Sequence, residues 1–209
     1  MRKSTGVQNA LKRRRTSCDE EDDTTETPHG ENIHTQNNHI YFNGDVTRES
    51  MFKLANELRN VRNVLKLRAL SFDIEVQPIY LHITTDGGEI YPALTVVDCI
   101  KSLDIPVYSV VDGIVASAGT LISLAATKRY ISPNAYMLIH QLSSGVWGKM
   151  NKIEEEVENL KKLMTHITEF YLQHTSLKES ALKKLLLTDI IWNASECIKK
   201  GIVDELYTP

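Results

Sequence analysis

Cysteine, tryptophan and long apolar runs are all scarce in this chain, and each shortage closes a class of protein. The three cysteines, Cys18, Cys99 and Cys197, are odd in number and far apart. They make neither a disulfide framework nor a C-x-x-C metal spacing, which points to a reducing intracellular compartment, cytoplasmic by default. No segment approaches the roughly 18 consecutive apolar residues of a membrane span, so no membrane partner is expected. A formal net charge of -3 lacks the basic excess of a nucleic-acid binder. There is no G-x-x-x-x-G-K-[ST] loop, so no ATPase resides in the chain. There is no HExxH or Cys/His ligand spacing either, and neither a metal nor any other cofactor is expected.

What is present fits one globular domain with extra length at its N-terminus. The 209 residues are 42% hydrophobic and 24% charged, enough to bury a real core. Residues 1 to 37 hold few aliphatics and read as a disordered charged tail, with the folded domain expected over 38–209. The basic run Lys12-Arg13-Arg14-Arg15 meets the acidic run Asp19 to Asp23 directly, which a mitochondrial transit peptide would lack. The basic run reads either as part of a solvated tail or as a nuclear address.

From Ile40 the texture becomes that of an α/β domain with a largely parallel sheet. Ile40-Tyr41-Phe42 runs into the turn Asn43-Gly44-Asp45, and Thr47 precedes a helical stripe from Met51 to Leu65. Ala69 to Gln77 reads as a loop and Pro78 to Thr84 as a strand. A second helix carries Ala93 to Leu103 and is followed by a strand, Val107 to Val111, bounded by Asp112-Gly113. Ala116 to Ala126 reads as a closely packed helix, and Tyr130-Ile131 and Tyr136 to Ile139 as short strands. Ile153, Val157, Leu160, Met164, Ile167 and Tyr171 mark one long helix. Shorter helices near Lys178–Leu187 and Ala194–Lys200 lead to a final Ile202-Val203.

Four features bear on chemistry, and each has a bland reading beside a functional one. Ser117 lies among small residues between a strand and a helix, a place that suits a nucleophile and equally suits close helix packing. His140 ends a strand, where it serves as a general base or merely satisfies a sheet edge. Asp189, between apolar residues, is a helix cap or the partner of an imidazole. Gly87-Gly88 permits close backbone approach, for an oxyanion hole or for a tight turn. The G-x-S-x-G elbow of α/β-hydrolases is absent, since Val115 fills its first glycine position, and no acidic residue lies between Ser117 and His140.

Taken together, these segments resemble the ClpP family, the proteolytic subunit of Clp proteases. The resemblance rests on Ile83-Thr84-Thr85-Asp86-Gly87-Gly88, on Asp112 through Gly119, and on Met137-Leu138-Ile139-His140-Gln141. His174-Thr175, Asp189 and Ala194 through Asp204 extend it, so that it spans about Ile40 to Leu206. It implies a ClpP/crotonase-like fold of repeated β-β-α units, with a protruding handle helix over about Lys149 to His174. It implies a serine endopeptidase with Ser117 as nucleophile, His140 as base and Asp189 as its orienter. The oxyanion would rest on the backbone N–H groups of Gly88 and Ala118, and a substrate strand would lie beside Gly87, Gln141 and Leu142. Two stacked heptameric rings, a tetradecamer, would enclose the sites, fed with unfolded polypeptide by a separate hexameric AAA+ unfoldase that alone uses ATP.

The chain departs from the family in places. Thr85-Asp86 replaces the usual Ser-Pro, Leu142 a Pro and Ala118 a Met, while Arg59 to Gln77 is longer than usual. The tail is unlike the family's axial loops. Competing readings are a catalytically silent ring subunit, which would normally lack a triad residue, and a crotonase-type acyl-CoA enzyme, which shares the fold without the triad. A Ser-Lys membrane peptidase would need a lysine base and usually an anchor.

Overall fold

Thr47 sets the start of the first helix by a reciprocal cap. Its hydroxyl accepts from the Ser50 N–H at 3.1 Å while its own N–H donates to Ser50 Oγ at 3.0 Å. In the computed structural model, which describes residues 33–208, this helix α1 runs Arg48–Phe72. It outlasts the loop expected from Ala69, because Asp73 closes it in the left-handed conformation (φ 51°) with its N–H on Ala69 O.

Strands β1 (Ile33–Gln36) and β2 (His39–Asn43) form a hairpin at the sheet edge, pairing Ile33 with Phe42. The folded domain therefore begins before position 38. Backbone pairing, and a 2.6 Å hydrogen bond from Thr35 to Glu57, recruit a segment whose composition reads as tail. The expectation for residues 1–32 lies outside the described residues.

From β2 the sheet continues in parallel through β3 (Ile79–Thr85), β4 (Val107–Ala116) and β5 (Lys128–Ile131). Alternation puts Ile79, Leu81 and Ile83 into the core beneath α1 and α2 (Ile90–Ser102). The opposite face of the sheet gathers Tyr80, Tyr108, Tyr130 and Tyr207 with His39 and His82.

Strand β4 does not stop at Asp112-Gly113 as expected. Gly113 takes φ 63° and the strand changes partner: Tyr108 to Val111 pair with β5, and Ile114 to Ala116 with β6 (Tyr136–Leu138). Its end therefore splays out of the main sheet and delivers Ser117 to the start of α3 (Ala118–Leu124). Strand β7 (Ile191–Asn193), which the sequence patterning misses, pairs antiparallel with β6. Ile202 and Val203 are buried, and the closing strand is β8 (Glu205–Leu206), beside β5.

The long helix α4 (Met150–His174) fully buries Ile167, Phe170 and Tyr171, all in its last third, and packs Leu163, Met164 and Leu172 partly against the core, so its first half stands away from the domain. Two short helices follow, α5 (Glu179–Leu186) and α6 (Ala194–Lys199), the latter capped by Asn193 on the Glu196 N–H. Arg129 joins these ends, donating to Asp204 and to the carbonyl oxygens of His174 and Gly201. No helix among the described residues is long and apolar enough to cross a membrane.

Candidate functional site

Ser117 is held in a conformation that L-residues rarely adopt, φ 53° and ψ −125°. Its N–H donates to Leu138 O at 2.9 Å, and its carbonyl accepts from the Thr120 N–H at 3.0 Å. Such strain persists only where the surroundings impose it, and it clusters where function needs a side chain aimed outward.

His140 and Asp189 come together through sheet register. β6 and β7 pair Tyr136 with Asn193 and Leu138 with Ile191. Extending the same register two residues beyond Leu138 brings His140 opposite Asp189. The side chains meet there, His140 Nδ1 lying 3.1 Å from Asp189 Oδ1. The imidazole is mostly sheltered, its side chain 27% exposed, while the carboxylate is 80% exposed.

The paired glycines form the opposite wall. Val46 donates to Gly87 O and accepts from the Glu89 N–H, at 2.8 and 2.7 Å. That bridge leaves the Gly88 N–H on the side away from Val46. Gly87 takes φ 104° and Gly88 φ 140°, and a side chain on Gly88 would strike the Val46 carbonyl.

Gly88, Ser117, Ala118, His140, Gln141 and Leu142 line one cleft of about 170 Å³. Gly87 stands behind Ser117, and Asp189 behind His140. Every residue singled out from the sequence is thus in or directly behind this cleft. Two details were not legible from sequence. The Gln141 N–H is committed to Leu186 O at 3.0 Å, leaving its carbonyl as the group that can face a ligand. Tyr171, a core position of the long helix by its spacing, also lines the cleft. No hydrogen bond joins Ser117 to His140 among the described residues. Nor, among those residues, do three or more His, Cys, Asp or Glu side chains gather in a way that could hold a metal ion.

Residues 36–209 match the family model described as Clp protease. Proteolytic subunit 2 of the ATP-dependent Clp protease of Treponema denticola is 31% identical over 169 residues, covering 80% of each chain. The corresponding proteolytic subunit of Deinococcus radiodurans is 28% identical over 145 residues, 68% of this chain and 71% of that one. The solved structure of a ClpP1 point mutant from Listeria monocytogenes superposes with a TM-score of 0.71 at 24% identity, over 83% of this chain and 92% of that one. The fold is therefore the ClpP/crotonase-like one.

Proposed function

Because this chain belongs to the Clp protease family of serine peptidases, we propose that it hydrolyses peptide bonds of unfolded polypeptides with Ser117, His140 and Asp189. The observation that carries this reading is the 3.1 Å pairing of His140 with Asp189 on the lip of the cleft that Ser117 enters.

In this mechanism Ser117 Oγ attacks the scissile carbonyl carbon as His140 Nε2 takes the hydroxyl proton. Asp189 accepts from His140 Nδ1–H, fixing the tautomer that leaves Nε2 basic and stabilising the imidazolium that forms. The Gly88 and Ala118 N–H groups receive the oxyanion. Collapse expels the amine with the proton from His140, and water then hydrolyses the acyl-serine by the same relay. The substrate runs as an added strand between Gly87-Gly88 and the backbone of Gln141 and Leu142.

The same reading makes the chain one subunit of a double heptameric ring. The unpartnered length of α4 joins the rings, and a separate AAA+ unfoldase consumes the ATP, with no cofactor in this chain. Cys99 and Cys197 are free thiols, which suits a reducing compartment. One observation favours the alternative of a silent ring subunit, the missing Ser117–His140 hydrogen bond.

A fluorophosphonate serine probe on the full chain, wild type beside Ser117→Ala, decides between them. Labelling and fluorogenic-peptide cleavage that both vanish in the variant support the peptidase. An assembled wild type that neither labels nor cleaves is a silent subunit.

A further inference from the structure

Tyr171, near the base of α4, is fully buried, yet its hydroxyl lies 2.5 Å from Thr120 Oγ1. Thr120 is itself fully buried, and its hydroxyl donates to the Ser117 carbonyl at 2.6 Å. A threonine hydroxyl has one hydrogen to give. With that hydrogen on Ser117 O, the hydrogen between the two hydroxyls must come from Tyr171. The result is a directed chain, Tyr171 O–H to Thr120 O–H to Ser117 O, in which each donor polarises the next. Burial pushes the Tyr171 phenol up to about 12, so it remains a donor at any working pH.

Ser117 O and the Ala118 N–H belong to one planar trans peptide and point in opposite directions. Whatever anchors the oxygen therefore aims the N–H. The Thr120 side chain, seconded by the Thr120 N–H at 3.0 Å, pins Ser117 O on the buried side. The Ala118 N–H is thereby turned toward the cleft, and Ser117 is kept at φ 53°.

We propose that Tyr171 is a positioning residue of the serine site: acting through Thr120, it locks the Ser117–Ala118 peptide so that the Ala118 N–H is preset for the oxyanion. Its activity readout rests on the triad reading above; its structural readout does not. Because α4 is the helix that stands away from the domain, the base of that helix and the oxyanion donor become one mechanical unit.

The test compares full-length wild type, Tyr171→Phe, Thr120→Val, Thr120→Ser and the Tyr171→Phe/Thr120→Val double variant, each checked for folding and assembly. The readouts are amide exchange at Ser117 and Thr120, the rate of fluorophosphonate labelling, and kcat and KM on a fluorogenic peptide. Expected for Tyr171→Phe is faster exchange at both amides and a kcat lower by about tenfold, the rate equivalent of one net hydrogen bond, with KM unchanged. Thr120→Ser keeps the hydroxyl and stays near wild type. The double variant is no worse than Thr120→Val, since the chain is already cut. A Tyr171 that merely fills the core would lower the melting temperature and leave exchange and kcat alone, which overturns the proposal. Should wild type never label while exchange still responds, the triad reading falls and the positioning role stands. Should wild type cleave and Tyr171→Phe match it in kcat and exchange, the reverse holds.

Discussion

Gly87 lies so close to Ser117 that a Cβ added to the glycine would sit 2.6 Å from the serine Cβ. Real carbon atoms do not approach so closely, so the segment of paired glycines and the turn bearing Ser117 are fitted as one piece. Gly87→Ala therefore has two costs, a φ of 104° that alanine resists and a collision with the serine itself. The variant should fold, because both segments border a cleft, but with Ser117 displaced. We expect peptide hydrolysis to fall on the order of 10²-fold, the penalty of about 1 Å of misplacement. Wild-type rates of cleavage and probe labelling in Gly87→Ala would show that the contact is without consequence.

Asp189 is exposed, and the 3.1 Å contact with His140 Nδ1 is its hydrogen bond among the described residues. Asp189→Asn keeps the shape but cannot hold the imidazole in the basic tautomer. A loss of kcat on the order of 10⁴ is expected, as for other triads, with little change in melting temperature. A residual rate near wild type would mean that another group orients His140.

On the far side of the sheet, the His82 ring meets Asp112 Oδ2 at 2.6 Å and His39 Nδ1 at 3.0 Å, and Ser132 donates to the same carboxylate. Burial pushes the Asp112 carboxyl up, but the hydrogen bonds from His82 and Ser132 and the charge of His82 outweigh it and hold it below its ordinary value. Burial, with His82 adding to it, lowers the His39 ring. Both groups bind protons more readily when unfolded, so both lend stability that shrinks as pH falls. For His39 the loss begins near the ordinary histidine value of about 6.5 and continues down through its lower folded value. For Asp112 it begins near about 4 and continues down through its depressed folded value. Melting temperature followed against pH should show a weaker acid-side decline below about 4 in Asp112→Asn. His39→Phe should flatten the shallower limb that starts near about 6.5. Parallel curves for all three proteins would remove this network as a source of acid sensitivity.

Burial, with the nearby Glu196 charge, pushes the Cys197 thiol up to about 12, and burial also raises Cys99. Only the thiolate reacts, so neither should titrate in the native protein. In a Cys18→Ser background, a disulfide reagent at pH 8 should give no fast phase until denaturant is added. A prompt native phase would show that one of these core sites opens readily.

The elements with strong local signals were legible in the order of residues. The helical stripes of α1, α2 and α4, the apolar run of β3 and the cap at Thr47 each depend on neighbours a few positions apart, and spacing reports them directly. The Gly-Gly and Ser117 segments could be read as candidates for the same reason, since a strand followed by small residues is a local pattern. By itself, then, the sequence determined the α/β class, the positions of the long elements and a short roster of reactive residues.

Tertiary structure decided the rest. Strand β4 runs through Asp112-Gly113 because it exchanges β5 for β6 there, a choice made by partners far along the chain. The hairpin strand β1 exists because β2 offers it an edge. Strand β7 is three residues long, too short for any periodicity, yet its register with β6 is what brings Asp189 to His140 across 49 positions. The hydrogen bond from Tyr171 to Thr120 spans 51 positions, and in sequence Tyr171 is one more apolar step of a helix. Local free energies select helices and strands over a few residues, whereas a site is built from the non-local pairings that folding adds.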